Sequence, residues 1–218
     1  MSGNTLDLHV LNTVIFDYGE VLCHPPTPAE TADLARFFGV GIDVFPSLWE
    51  RNRGAYDRGD LTPEAYWFRL AEDAGTKIGP GQLEEICRLD MQMWSNVNST
   101  MVEWASQLGS FGLKVGLLSN MHPDMVKHCR NQFSWLKSFD FVTFSGEVSL
   151  IKPDPRIYEH TLLGLGVTAQ EALFLDDREI NIRAARSLGI AAIHFRSVAQ
   201  LRSELQAGGF AILPPTSS

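Results

Sequence analysis

Polar residues follow short apolar runs at several places along this chain of 218 residues. The stretches are Phe16-Asp17-Tyr18-Gly19, Leu118-Ser119-Asn120, Lys152-Pro153-Asp154 and Leu175-Asp176-Asp177. Apolar runs of this length predict buried strands, and the carboxyl ends of parallel strands meet at one edge of a sheet. A carboxylate, a hydroxyl, an ammonium group and an acidic pair would therefore lie together. This combination predicts a site for phosphoryl transfer.

Each of these residue types has a role in that chemistry. Asp17 is the predicted nucleophile, which would form an aspartyl-phosphate that water then hydrolyses. Ser119 and Asn120 are predicted to bind phosphoryl oxygens through the hydroxyl group and the backbone that follows it. Lys152 would bind substrate as well, because its ammonium group offsets the charge of both Asp17 and the phosphate.

The acidic residues also predict a metal ion. Three carboxylates in one site raise one another's pKa unless a cation lies between them. Mg²⁺ suits such a site because it prefers a few carboxylates, a carbonyl oxygen, waters and the phosphate of a substrate. The predicted ligands are Asp17, the carbonyl of Gly19, Asp176 and Asp177, and which of the adjacent acids is the principal ligand stays open. Asn181, one turn into the next helix, would orient them.

In their order and residue types, the four stretches resemble the haloacid dehalogenase superfamily of hydrolases, over about residues 13–196. The segment Phe-Asp-Tyr-Gly-Glu-Val-Leu is similar to the branch that includes sugar 1-phosphate phosphatases and the N-terminal domains of epoxide hydrolases. Arg58-Gly59-Asp60-Leu61-Thr62 and Lys152-Pro153-Asp154 agree with that branch. The resemblance implies a magnesium-dependent phosphatase acting on a small phosphorylated metabolite, with a helical cap over the site.

Gly19 departs from the pattern of the superfamily. Most of its phosphatases carry a second Asp at this position, which protonates the leaving oxygen and then activates water. The loss of such an acid costs a factor of roughly 10² to 10⁴ when the leaving group is poor. Three readings follow: Glu20 supplies the proton, the substrate has a good leaving group such as a sugar 1-phosphate, or the chain is a poor phosphatase.

Other functions fit the residues less well. A 2-haloacid dehalogenase also attacks with Asp and needs no acid, but an unneutralised pair such as Asp176-Asp177 would repel its carboxylate substrate. A phosphoacceptor module of the receiver type has these groups in another order. A binding protein of the same fold that has lost the general acid is disfavoured by the presence together of Asp17, Ser119, Lys152 and Asp177. A dinucleotide-binding enzyme is disfavoured because no GxGxxG follows the first apolar run.

The elements that must position these residues alternate in the second half of the chain. Five apolar runs predict strands, at residues 13–16, 113–118, 139–144, 172–175 and 190–194. Helix start signals lie between them, such as Asp154-Pro155 and the pair Thr168 and Glu171. The helix after the acidic pair is predicted to have an apolar face at Ile180, Ala184 and Leu188. The fold class is therefore α/β, a Rossmann-like parallel sheet sandwiched by helices.

The stretch from residue 24 to 98 carries helix signals and almost no strand signals. Thr27-Pro28-Ala29-Glu30 and Thr62-Pro63 both predict helix starts, and residues 81–93 predict a further helix. We therefore expect a small all-helical cap domain at 24–98, inserted after the first strand, and a catalytic domain at 1–23 and 99–218. Trp49, Tyr56, Trp67 and Trp94 are expected to pack between cap helices rather than to line the site.

Composition excludes several classes of partner. The net charge of −8 argues against nucleic acid, because phosphate backbones bind to basic surfaces. The first residues resemble no signal peptide and no window reaches transmembrane length, so no membrane partner is expected. Three widely spaced cysteines predict buried thiols and a cytoplasmic protein. The oligomeric state is not predicted.

Overall fold

The computed structural model describes residues 11–216. The opening residues, in which the sequence predicts no signal peptide, and residues 217–218 of the predicted catalytic domain lie outside that range. Between residues 11 and 216, no helix is both long and apolar enough to cross a membrane. The chain forms one five-stranded sheet in the order β3-β2-β1-β4-β5, with every pair parallel. Its strands are β1 (Thr13–Phe16), β2 (Lys114–Ser119), β3 (Phe141–Phe144), β4 (Ala172–Asp176) and β5 (Ala191–His194).

The central strand β1 pairs with two strands that are distant in sequence. Phe16 is in register with Leu117 of β2 on one side and with Leu175 of β4 on the other. The strand order therefore reverses at β1, and ligands of open α/β sheets bind at the carboxyl ends of strands beside such a reversal. Asp17 lies at this point because it directly follows Phe16.

Helices occupy the chain between β1 and β2. They are α1 (Pro28–Ala35), α2 (Phe45–Arg51), α3 (Arg53–Asp57), α4 (Pro63–Asp73) and α5 (Pro80–Met93). The predicted starts are confirmed: Thr27 and Glu30 form a capping box at α1, and the Thr62 side chain accepts a hydrogen bond at the start of α4. These helices share a hydrophobic cluster of their own. The helical insertion is thus confirmed, and its limits at residues 24 and 98 stay a prediction.

The remaining helices cover both faces of the sheet. They are α6 (Ser99–Ser110), α7 (Pro123–Gln132), α8 (Ser145–Val148), α9 (Pro155–Leu165), α10 (Glu179–Ser187) and α11 (Val198–Ala207). Trp104 of α6 packs in one buried cluster with Phe16, while Tyr158 of α9 and Ile182 of α10 pack in another with Ile15. Successive residues of β1 point to opposite faces, so the sheet is buried on both sides and the predicted α/β sandwich is confirmed.

One predicted helix face is rotated. The sequence predicts that Ile180 faces the core, but Ile180 is 49% exposed, while Asn181, Ile182 and Ala185 of α10 are buried. The helix is rotated because the Asn181 side chain faces Asp176, to which it donates hydrogen bonds. The pair Thr168 and Glu171 does form a capping box, but it caps a single 3₁₀ turn, Ala169–Glu171, rather than a longer helix.

Candidate active site

The Asp17 carboxylate lies at the carboxyl end of the central strand. Its backbone N–H donates to the carbonyl of Leu175 at 2.9 Å, which continues the pairing with β4 by one residue. The Tyr18 N–H donates to Asp17 Oδ1 at 2.7 Å. Only 6% of Asp17 is exposed, so the local backbone fixes the direction of its carboxylate before any ligand binds.

Lys152 joins three strand ends through its ammonium group. Its Nζ lies 2.9 Å from Asp17 Oδ1 and 2.6 Å from Asp176 Oδ2, and it donates to the carbonyl of Leu118 at 3.0 Å. These three acceptors match the three N–H donors of an ammonium group. Burial alone would lower the pKa of Lys152, but the charges of Asp17 and Asp176 outweigh burial and raise that pKa. The side chain therefore stays charged.

Ser119 ends the neighbouring strand β2, Asn120 follows it, and both line the cavity above Asp17. The Asn120 side chain is engaged with backbone: its Nδ2 donates to the Lys152 carbonyl at 3.0 Å, and its Oδ1 accepts from the Lys152 N–H at 2.8 Å. The peptide bond between Lys152 and Pro153 in this loop is cis. The side chain of Asn120 thus positions Lys152, and its predicted contact with substrate falls to its backbone.

The adjacent acids differ in their surroundings. Asp176 is fully buried, and its carboxylate accepts from Lys152 Nζ, from Asn181 Nδ2 and from the Arg178 N–H. Both of its oxygens therefore have two donors, whereas Asp177 lines the cavity. This difference favours Asp177 as a metal ligand and Asp176 as the group that orients Lys152.

Three carboxylates nonetheless lie close enough to share an ion. Ligand atoms of Asp17, Asp176 and Asp177 all lie within 4.8 Å of one another. Burial and the charges of Asp176 and Glu20 raise the pKa of Asp177 to about 6, and burial also raises the pKa of Asp17. A divalent cation between the carboxylates would offset their mutual repulsion, so the donor set fits Mg²⁺.

Gly19 and Glu20 form the turn that follows Asp17, and both line the cavity. Gly19 has φ −59° and ψ 130°, which any residue can adopt, while Glu20 has φ 55°, in the left-handed region. Burial raises the pKa of Glu20, and Arg178 opposes that effect. Glu20 therefore lines the same cavity as Asp17, and its role as the proton donor stays a prediction.

The cavity above Asp17 has a volume of about 210 Å³ and is roofed by the helical insertion. Trp49 and Trp94 line it, contrary to the expectation from sequence, whereas Trp67 is fully buried among the cap helices as expected. Arg53 of α3 also lines the cavity, although the sequence does not identify it as a site residue. The one feature in the sequence that sets it apart is its spacing of four from Asp57. Its Nε donates to Asp57 Oδ1 at 2.8 Å, and its Nη1 lies 3.3 Å from Asp90 Oδ1.

His122 has a structural position at the start of α7. It is buried, it accepts the Met125 N–H at the start of α7, and its Nε2 lies 3.3 Å from Asp90 Oδ2. Since Nδ1 accepts, the proton on a neutral ring belongs at Nε2, which faces the carboxylate.

Comparison with solved structures shows the fold. A haloacid dehalogenase family enzyme from Bacteroides thetaiotaomicron, solved with magnesium and inorganic phosphate, superimposes with a TM-score of 0.67 at 21% identity, over 85% of this chain and 94% of that one. The L-2-haloacid dehalogenase of Xanthobacter autotrophicus superimposes with a TM-score of 0.64 at 22% identity, over 92% and 84%. The fold is thus shared by an enzyme solved with magnesium and phosphate and by a dehalogenase.

The relatives that match in sequence include two from Aspergillus. The sesquiterpene phosphatase astK of Aspergillus oryzae is 28% identical over 83% of this chain and 87% of its own length. The drimenol cyclase drtB of Aspergillus calidoustus is 25% identical over 90% of this chain, which spans only 36% of that relative. A family model of haloacid dehalogenase-like hydrolases matches residues 11–189, which contain every predicted site residue. The chain therefore belongs to the haloacid dehalogenase-like hydrolases.

Proposed function

We propose that this chain is a magnesium-dependent phosphatase that hydrolyses a small phosphomonoester through attack by Asp17. The observation that carries the proposal is the contact of one buried ammonium group, Lys152 Nζ, with Asp17 at 2.9 Å beside the acidic residues Asp176 and Asp177. A nucleophilic carboxylate can approach an anionic ester only where positive charge offsets the repulsion. The similarity to a sesquiterpene phosphatase supports the reaction class.

The metal would be held by Asp17 and Asp177, with the Gly19 carbonyl as the predicted backbone ligand. Asp176 is the weaker candidate because both of its oxygens already accept hydrogen bonds. When bound, the ion supplies positive charge beside the phosphoryl oxygens.

The residues of the chain account for the bond changes. A carboxylate oxygen of Asp17 attacks phosphorus, the ester P–O bond breaks, and the electron pair leaves with the alcohol oxygen. Ser119 would hold phosphoryl oxygens, and the ammonium group of Lys152 would bind the phosphate through its charge. The Asn120 side chain positions Lys152 by bonding to the Lys152 backbone. Water then attacks the phosphorus of the aspartyl-phosphate, releasing inorganic phosphate and restoring Asp17.

The proton for the leaving oxygen would come from Glu20 or from water. Glu20 lines the cavity, and burial raises the pKa of its carboxyl group, which favours the protonated form that a general acid requires. Because this arrangement is less direct than an Asp at position 19, we propose that substrates with good leaving groups react fastest.

We place the protein in the cytoplasm, where thiols stay reduced. Cys23, Cys87 and Cys129 are all free thiols, and Cys23 and Cys129 are buried. This arrangement is typical of intracellular proteins rather than of those stabilised by disulfides.

The test is release of phosphate from p-nitrophenyl phosphate and sugar 1-phosphates, with Mg²⁺ and with chelator, in the wild type, Asp17→Asn and Asp33→Asn. We expect metal-dependent release that Asp17→Asn abolishes and Asp33→Asn keeps, because Asp33 lies on α1 with an exposed side chain. Full activity of Asp17→Asn would exclude the assignment. Release of chloride from 2-chloropropionate in chelator, without phosphate release, would instead identify a dehalogenase.

A further inference from the structure

Two indole rings form an aromatic wall on the cap side of the cavity. The aromatic wall consists of Trp49, on α2, and Trp94, directly after α5, whose ring centroids are 6.0 Å apart with planes inclined by 28°. Both residues line the cavity and both are half-buried. A further flat apolar group could therefore pack against surface that the cap leaves uncovered.

The wall lies next to the nucleophile. A Cβ atom placed on Gly19 would be 3.7 Å from Cζ3 of Trp94, so this ring covers the position two residues after Asp17. The hydroxyl of Tyr18 donates to the backbone carbonyl of Trp94, which ties the wall to the turn that carries Asp17. The alcohol portion of a phosphate ester bound at Asp17 would therefore meet indole surface.

Trp49 is held in place before a ligand binds. Its Nε1 donates to Asp90 Oδ1 at 3.4 Å, and the guanidinium carbon of Arg53 lies 4.1 Å from its ring centroid. Arg53 is itself fixed by Asp57 and Asp90. A ring fixed in this way loses little side-chain entropy on binding, so its contact surface is pre-organised.

The charges around the cavity disfavour a second anionic group on the substrate. In the part of the chain that the structure describes, the basic side chains that line the cavity are Arg53, Lys152 and Arg178. Each already faces a carboxylate: Arg53 faces Asp57 and Asp90, Lys152 faces Asp17 and Asp176, and Arg178 Nη1 lies 3.6 Å from Glu50. Acidic side chains are more numerous in the same lining: Asp17, Glu20, Glu50, Asp57 and Asp177.

We propose that the aromatic wall selects phosphomonoesters whose alcohol is uncharged and apolar, with flat aromatic or unsaturated groups bound best. This inference rests on the proposed phosphatase function, since it places the ester at Asp17. It makes Trp94 and Trp49 specificity-determining residues and Arg53 a positioning residue. Esters whose alcohol carries a carboxylate or a second phosphate would bind poorly, because no unpartnered cation lines the described part of the cavity.

The test measures binding rather than turnover, with phosphonates, whose P–C bond replaces the ester linkage. Dissociation constants of benzylphosphonate, 2-hydroxyethylphosphonate and phosphonoacetate would be determined by calorimetry in Mg²⁺. The proteins are the wild type, Trp94→Ala, Trp94→Phe and Phe68→Ala. Phe68 is the matched control because it is a cap aromatic that is 42% exposed and lies outside the cavity.

We expect benzylphosphonate to bind the wild type about tenfold more tightly than 2-hydroxyethylphosphonate, and phosphonoacetate to bind most weakly. Trp94→Ala should remove the preference for the benzyl group, while Trp94→Phe and Phe68→Ala keep most of it. Equal binding of the three phosphonates, tightest binding of phosphonoacetate, or an undiminished preference in Trp94→Ala would each overturn the inference. Failure to release phosphate from benzyl phosphate, with the preference intact, would count against the phosphatase proposal alone.

Discussion

At the scale of single residues, Gly19 is open to a direct test. Its backbone angles suit any residue, and an added Cβ would make an ordinary contact at 3.7 Å with Trp94, so the backbone there accepts a side chain without strain. We expect Gly19→Asp to raise kcat/KM at least tenfold for benzyl phosphate, whose alkoxide is a poor leaving group. For p-nitrophenyl phosphate, whose phenolate leaves easily, we expect hardly any change. A positioned general acid contributes about 10² to 10⁴ when the leaving oxygen needs a proton.

Gly19→Ala is the control for that substitution, because it adds the Cβ without the carboxyl group. Steady-state kinetics on both substrates would compare the two variants. An equal change on both esters would show that the substitution acts through packing against Trp94 and not through proton donation.

The two adjacent acids should respond differently to neutralisation. Asp177→Asn relieves the repulsion among three crowded carboxylates, so we expect it to raise the free energy of unfolding in chelator and to weaken Mg²⁺ binding at least tenfold. Asp176→Asn removes the negative charge that faces Lys152 and one of the two oxygens that accept from Lys152 and Asn181, and we expect the free energy of unfolding to fall by about 3 kcal/mol. Urea unfolding in chelator measures the stability of both variants, and calorimetric titration measures their binding of Mg²⁺. An Asp176→Asn protein more stable than the wild type would contradict the assignment of Asp176 to Lys152 and of Asp177 to the metal.

At the scale of elements, the sequence predicts the strands well because each is a compact apolar run that is buried on both faces. The end of β1 at Phe16 and the caps at Thr27 and Thr62 depend on neighbouring residues alone. The rotation of α10 could not be predicted in this way. It depends on a hydrogen bond from Asn181 to Asp176, which competes with the burial of Ile180.

The ion cluster that joins α3, α5 and the start of α7 gives a prediction about pH. Burial alone would raise the pKa of Asp90, but Arg53 and His122 outweigh burial and lower it, while the neighbouring Asp57 has a raised pKa. A carboxyl group with a lowered pKa in the folded state stabilises the fold above its unfolded pKa of about 3.9, and this contribution is lost as the pH falls through the folded pKa.

We therefore expect Asp90→Asn to lower the free energy of unfolding by about 3 to 5 kcal/mol at pH 7, and by progressively less below pH 4. Urea unfolding from pH 7 to pH 3 measures the difference. Glu85→Gln, on the same helix and in an exposed ion pair with Arg88, should have no measurable effect. A difference that stays constant down to pH 3 would show that Asp90 acts through packing and not through its charge.

At the scale of the whole molecule, a few polar contacts join the helical insertion to the sheet domain. Ser145 Oγ donates to the Asp57 carbonyl at 2.6 Å and accepts the Met121 N–H at 2.8 Å. Further contacts are those of His122 with Asp90, of Arg178 with Glu50 and of the Tyr18 hydroxyl with the Trp94 carbonyl. The sequence predicts that a cap exists but not which residues hold it over the site, because these pairs are distant in sequence.

Loss of the Ser145 hydroxyl should loosen the cap. Ser145→Ala leaves the buried Met121 N–H without its acceptor, at a cost of about 1 to 3 kcal/mol, and frees the end of α3. We expect faster amide hydrogen exchange at residues 53–60 and unchanged exchange in β1. Ser138→Ala is the control, because that hydroxyl donates to Trp135 in its own turn. Identical exchange in both variants would show that Ser145 does not hold the cap.

The position of β1 at the centre of the sheet has a consequence for the order of events during translation. Thr13 leaves the ribosome well before its partners Lys114 and Ala172, which follow only after the whole insertion has been made. At about 5 to 20 residues per second, the central strand waits roughly 10 to 30 seconds for its second neighbour. The helices α1 to α5 can form from local contacts during that delay, whereas the nascent sheet cannot. The apolar segment that precedes Asp17 is therefore expected to need protection by a chaperone during that delay.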